Sequence, residues 1–188
     1  MAKERPYLDV QNLTKRFGAR LLFENISFSI AEGQKVGLIA QNGTGKSTLM
    51  SMITGEEGID SGQVIFRRDL KVGYLEQSPK FDPDETVLDA CFNHHGDPAK
   101  VLKAKQILSQ LKIDDMQQPV GQLSGGQQKR VALANVLIME PDLFLLDEPT
   151  NHLDLDMIVW LEDFFEKGNK TLLMVPHDRY FLDRACNS

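Results

Sequence analysis

Val36-Gly37-Leu38-Ile39-Ala40-Gln41-Asn42-Gly43-Thr44-Gly45-Lys46-Ser47 is the stretch that decides the fold. The first four residues read as a short buried strand that runs directly into a glycine loop. Glycines let backbone N–H groups converge on phosphate oxygens, Lys46 reaches the β- and γ-phosphates, and the Ser47 hydroxyl can ligate Mg²⁺. Thr48 to Ile53 continues as a helix whose N-terminal dipole favours an anion, and Gly55 closes it. Strand, loop and helix in that order are the context a phosphate loop requires. The first position is Ala40 where glycine is usual. If that position needs a positive φ, alanine costs on the order of 1 kcal/mol there.

Two further stretches belong with it. Leu123-Ser124-Gly125-Gly126-Gln127 opens a helix expected to run from Gln127 to about Met139. A serine and two glycines at a helix start present a hydroxyl and backbone donors to an anion, as the phosphate loop does. One domain has no need of two γ-phosphate sites, so the second is best explained by ATP bound to another domain. Asp142 to Leu146 is then a nearly continuous apolar strand of the kind buried in a parallel sheet. Asp147 and Glu148 end it at the carboxyl edge, where open α/β sheets place their chemistry. Adjacent carboxylates there are costly unless a cation balances them. Mg²⁺ on Asp147 supplies the balance, and Glu148 is the candidate base or water-orienting group for attack on the γ-phosphate.

These motifs, in this order and spanning Phe17 to Asp183, resemble the nucleotide-binding domain of ATP-binding-cassette (ABC) ATPases. The resemblance implies an α/β P-loop NTPase domain with a RecA-like parallel core, an antiparallel β portion and a small helical subdomain. It implies ATP and Mg²⁺ as ligands and ATP hydrolysis as the reaction. Asn42, Gly43, Thr44, Gly45, Lys46, Ser47 and Thr48 bind the phosphates. Phe17 stacks on adenine, with a core phenylalanine as the alternative. Gln77 contacts Mg²⁺ and the attacking water, and His177 contacts the γ-phosphate. Ser47, Gln77 and Asp147 are the metal residues. Two cassettes face head-to-tail, so Ser124, Gly125, Gly126 and Gln127 cover the partner's ATP. Pro176 stands where the family has Ser or Thr, and it fixes φ and removes a donor beside His177.

Two segments narrow the resemblance. Pro149-Thr150-Asn151-His152-Leu153-Asp154 and His177-Asp178-Arg179-Tyr180-Phe181-Leu182-Asp183 look like the ABC-F subgroup, soluble proteins with two cassettes, many acting on the ribosome. Many transporter subunits carry Ser-Ala in place of Asn151-His152. The expected partners are a second cassette, in the full-length chain or as a homodimer, and the ribosome. Nucleic acid enters only through the ribosome. The energy-coupling subunit of a membrane transporter is the alternative, and a nucleotide-gated binding module without turnover is a third reading that Glu148 opposes.

The remaining chain is read from its patterning. Leu8, Val10 and Leu13 begin one alternating strand, and Ile26, Phe28 and Ile30 a second. Gln63 to Phe66 and Lys71 to Leu75 read as paired strands joined by the Arg67-Arg68-Asp69 turn. Asp84 to Phe92 is expected to be a short helix. Pro98 starts another, with Asp97 as its cap and Val101, Ala104, Leu108 and Leu111 on one face. A helix from about Asp156 to Glu166 buries Ile158, Trp160, Leu161 and Phe164 or Phe165, and Thr171 to Val175 is a buried strand. The division expected is one domain over 1–188, with 1–77 and 123–188 as catalytic core and 78–122 as a shortened helical subdomain. His94-His95 marks where an insert is missing and is not a metal pair.

At 188 residues, 41% hydrophobic and 26% charged, the chain suits one well-buried domain. A net charge of −6 gives no bulk attraction to phosphate backbones. Cys91 and Cys186 lack metal spacing and fit a reduced, cytoplasmic setting. No run approaches the roughly 18 apolar residues of a membrane span, so direct membrane insertion is not expected. With neither a second phosphate loop nor a second Ser-Gly-Gly, a single, truncated cassette is expected.

Overall fold

The computed structural model describes residues 6–39, 45–92 and 98–176. Two sheets form the frame. Strands β1 (Leu8–Phe17) and β2 (Arg20–Ile30) make an antiparallel hairpin, and β4 (Ser61–Phe66) adds to the other edge of β1. Val10 lies opposite Phe28 on one side and Val64 on the other. Within β1, Leu8, Val10 and Leu13 are buried while Asp9, Gln11 and Asn12 are not, and the alternation breaks at a register shift between Val10 and Leu13.

The second sheet is parallel, ordered β3 (Lys35–Gly37), β7 (Thr171–Val175), β6 (Leu143–Asp147), β5 (Val72–Leu75). Strands β6 and β7 are buried on both faces, which is why their sequences are unbroken apolar runs. Leu143 and Leu145 with Leu173 and Val175 face α1 (Lys46–Thr54) and the antiparallel sheet. Phe144 and Leu146 with Leu172 and Met174 face the other helices. Each such fully buried side chain contributes roughly 1.5–3 kcal/mol, so this sheet is the stiff floor on which the site stands.

Five expectations are corrected. The segments Gln63–Phe66 and Lys71–Leu75 do not pair with each other. β4 alternates exposed and half-buried positions, matching the edge of β1, whereas β5 joins β6 in the parallel sheet. The turn at Arg67 to Leu70 therefore carries the chain from one sheet to the other. Val36–Ile39 is not a buried strand. β3 ends at Gly37, only half-buried, and Ile39 is 59% exposed, because among the described residues β3 is flanked only by β7.

The helix expected over Asp84–Phe92 shrinks to α2 (Val87–Ala90). Thr86 Oγ1 accepts the Asp89 N–H and starts the helix there, while the Asp82 carboxylate takes the Asp84 N–H in a local turn. α3 (Pro98–Gln110) has proline in its first position as read, and it buries Ile107 beside Ala104 and Leu108, with Val101 only half-buried. α5 (Leu155–Glu166) buries Met157, Leu161 and Phe165, every fourth residue after its Asp154 cap. Ile158, Trp160 and Phe164 flank that stripe, half-buried.

α4 (Gly125–Ile138) holds the neighbouring helical segments by polar bonds as well as packing. Gln128 donates to Val120 O, Arg130 to Leu111 O (2.9 Å), and Asn135 to Ala90 O (3.0 Å). The bonds to Leu111 O and Ala90 O satisfy main-chain carbonyls at segment ends, and Gln128 adds to the Leu123 N–H already on Val120 O.

Candidate functional site

α1 begins at the site. Its cap, Gly45, has φ 87 and makes no side-chain capping bond. A Cβ at Gly45 would lie 2.6 Å from Leu22 Cδ2, so conformation and space both require glycine. The first-turn N–H groups of α1 lack intrahelical acceptors, and the helix dipole adds positive potential at the same point. An open cleft of about 390 Å³ lies over that helix start, lined by Phe17, Leu22, Gly45, Lys46, Ser47, Thr48, Gln77 and Glu148. Residues scattered over more than 130 positions of sequence thus meet around one space. Asn42, Gly43, Thr44 and His177, also expected in the site, lie outside the described residues, as do Ala40 and the His94-His95 pair.

Phe17 is 49% exposed at the end of β1, so the core alternative does not hold. Lys15 lies beside it, with Nζ 5.0 Å from the ring centroid. The ammonium is anchored by Glu57 Oε1 at 2.7 Å and Gly58 O at 2.6 Å. Gln77 follows β5 and is exposed at the mouth of the cleft.

Asp147 is 3% exposed, and neither carboxylate oxygen has a hydrogen-bond partner. Burial raises its pKa; the Ser47 hydroxyl and Lys46 nearby oppose that rise, and the Glu148 charge adds to it. A buried carboxylate with no well-formed hydrogen bond, only the Ser47 hydroxyl and Lys46 nearby, is a site that favours a cation. Asp147, Ser47 and Gln77 are hard oxygen donors suited to Mg²⁺, but too few to cage it. That is the usual pattern where phosphates supply the other ligands.

Glu148 adopts φ 49, a conformation rare for a residue with a Cβ. Its N–H donates to Val175 O at 2.8 Å, and its carbonyl accepts the Asn151 N–H at 3.2 Å. Its side-chain Oε2 accepts from Asn151 Nδ2 at 2.7 Å. A smaller pocket beside it is lined by Gln77, Asp147, Glu148, Asn151 and Lys129. Neither Asn151 nor Lys129 is expected in the site from sequence. Asn151 sits three residues after an acid, and Lys129 lies on the helix opened by Ser124; neither spacing shows which way its side chain faces.

Ser124 caps α4 through a reciprocal box: its hydroxyl accepts the Gln127 N–H, and Gln127 Oε1 accepts the Ser124 N–H. Ser124 and Gly125 are exposed, and none of residues 124–127 lines the cleft over Lys46. The structure therefore brings Phe17, Gly45 to Thr48, Gln77, Asp147 and Glu148 together and keeps Ser124 to Gln127 apart. Gly126 packs against the loop after β6, where a Cβ would lie 3.2 Å from His152 Nδ1.

Comparison with known proteins agrees with this arrangement. The family pattern described as ABC transporter matches residues 23–151. The chain is 37% identical to the uncharacterized ABC transporter ATP-binding protein YfmR of Bacillus subtilis, covering 96% of this chain and 35% of that protein. It is 33% identical to the energy-dependent translational throttle protein EttA of Escherichia coli K12, covering 88% of this chain and 37% of that protein. The chain thus spans about a third of the length of these relatives. A solved ATP-binding subunit of an ABC transporter superposes with a TM-score of 0.82 at 22% identity, over 96% of this chain and 83% of that one, a likeness of fold. With a phosphate-loop helix, an orphaned buried aspartate and a neighbouring glutamate on one parallel sheet edge, and with the family's pattern across most of its length, the chain belongs to the ABC transporter family, whose domains are ATPases.

Proposed function

We propose that this cassette binds ATP with Mg²⁺ in the cleft over α1 and hydrolyses it when a second cassette closes the site. The observation that carries this is the separation of two anion-binding helix starts. One, at Gly45 to Thr48, faces the cleft with Glu148, and the other, at Ser124 and Gly125, is exposed and lines no part of it. Asp147, Ser47 and Gln77 would hold Mg²⁺, which neutralises charge on the phosphate oxygens. Phe17 offers its exposed ring to the adenine, and Lys46 and the first-turn N–H groups of α1 hold the phosphates. Glu148 orients or deprotonates the attacking water. Ser124 and the following N–H groups complete the partner's site.

Alone and dilute, the 188-residue chain should bind ATP and turn it over slowly, with activity per molecule rising with concentration. Glu148→Gln should keep ATP binding, abolish turnover and accumulate a pair detectable by sedimentation. Brisk turnover at all dilutions, or unchanged hydrolysis in Glu148→Gln, would sink the reading.

For the role of the whole protein we favour an ABC-F-type switch acting on the ribosome in the cytoplasm. The Asn151-His152 loop and the likeness to EttA, a translational throttle by name, support it. The alternative, a transporter's ATP-binding subunit, is supported by the names of other relatives and of the superposed structures. No helix among the described residues is long and apolar enough to cross a membrane. ATP-dependent co-sedimentation of the Glu148→Gln protein with ribosomes supports the first, and recovery with membranes the second.

A further inference from the structure

Glu148 is held from inside its own loop. The chain turns sharply after β6: the Asn151 N–H donates to Glu148 O and the Leu153 N–H to Thr150 O, both at 3.2 Å. Two residues with side chains, Glu148 (φ 49) and His152 (φ 66), stand at its ends in the left-handed region. That backbone delivers Asn151 Nδ2 to Glu148 Oε2 at 2.7 Å. Asn side chains in turns usually bond nearby main chain; this one bonds a carboxylate instead. No hydrogen bond to Oε1 is seen among the described residues. At the far end of the loop, His152 lies against Gly126, where a Cβ would come within 3.2 Å of Nδ1.

We propose that Asn151 is a positioning residue for ATP hydrolysis: its side-chain amide holds the Glu148 carboxylate at the cleft, and His152 seated on Gly126 fixes the loop that carries it. This rests on the reading of Glu148 as the group that orients or activates water. A glutamate has three rotatable side-chain bonds, and catalysis needs its carboxylate within a few tenths of an ångström of one place. An amide at position 151 supplies a donor without charge. Aspartate there would replace the donor with a repelling carboxylate, and alanine would leave nothing.

The test uses the full-length protein. Asn151→Ala should lower kcat about tenfold, with the KM and Kd for ATP within twofold of wild type. Asn151→Asp, nearly the same shape, should lose at least as much. In the nucleotide-free protein, the ¹⁵N side-chain amide resonance of Asn151 should move in Glu148→Ala. Wild-type kcat in Asn151→Asp beside an inactive Glu148→Gln, or an unmoved resonance, overturns the positioning role alone. Intact hydrolysis in Glu148→Gln overturns the reading of Glu148 and the positioning role with it.

Discussion

Lys15 Nζ lies 5.0 Å from the centroid of the Phe17 ring, and the same ammonium bonds Glu57 and Gly58 O. A buried cation thus lies against an exposed aromatic ring that lines the cleft over α1. The cation–π contact favours one ring position and reduces what is lost on ordering the ring against a base.

Phe17→Ala should therefore weaken ATP binding by about 1–3 kcal/mol, the worth of one stacked base. Phe17→Tyr should retain it, since the ring face is kept. Isothermal titration with Mg-ATP and with Mg-triphosphate separates the effects: the triphosphate alone should bind both proteins equally.

Asp147→Asn should stabilise the nucleotide-free protein at neutral pH, on the order of 1 kcal/mol, by removing a buried charge whose desolvation outweighs the help of Ser47 and Lys46. The sign follows from the raised pKa. Protonated Asp147 suits the fold, so its favourable contribution is present below the unfolded pKa and is lost as pH rises through the folded one. The gain from Asn should be largest at neutral pH and shrink in acid. Urea unfolding at a series of pH values measures this, and the same variant should lose Mg²⁺-dependent tightening of ATP.

Ser124→Asp should leave thermal stability near wild type, because aspartate caps a helix as well as serine does. It should abolish ATP-induced pairing, since a carboxylate would then face the partner's phosphates. Sedimentation of the Glu148→Gln background with ATP reads the second effect. Ser124→Ala should instead cost about 1 kcal/mol of stability through loss of the cap.

Phe165→Ala should cost about 3–5 kcal/mol, the usual range for deleting a buried ring. Phe165 is fully buried and meets the ring of Phe144, on β6, edge-to-face at 5.2 Å. Chemical denaturation should show a lower midpoint, and any loss of ATPase should follow the loss of folded protein.

What the sequence determined by itself is local in origin. The α1 start at Gly45, the Ser124 cap with Gln127, the apolar run into Asp147 and the Pro98 helix start each state their conformation within a few residues. Their order implied one sheet edge, and Phe17, Lys46, Ser47, Gln77, Asp147 and Glu148 do meet there.

Only the tertiary structure decided the rest. β4 and β5 look like a hairpin in sequence, but β1 and β6 compete for them and win, because pairing is settled by which neighbours bury each face. The stripe of α5 is set by where Asp154 caps the helix and by the rings waiting beneath it, so Met157 goes inside and Trp160 stays at the margin. Asn151 acquires a partner only because Glu148 takes a left-handed backbone turn, and Lys129 reaches the carboxylate pocket only because α4 packs beside β5. Local chemistry writes propensities into the chain; which groups touch depends on long-range burial, and no short window of residues contains that information.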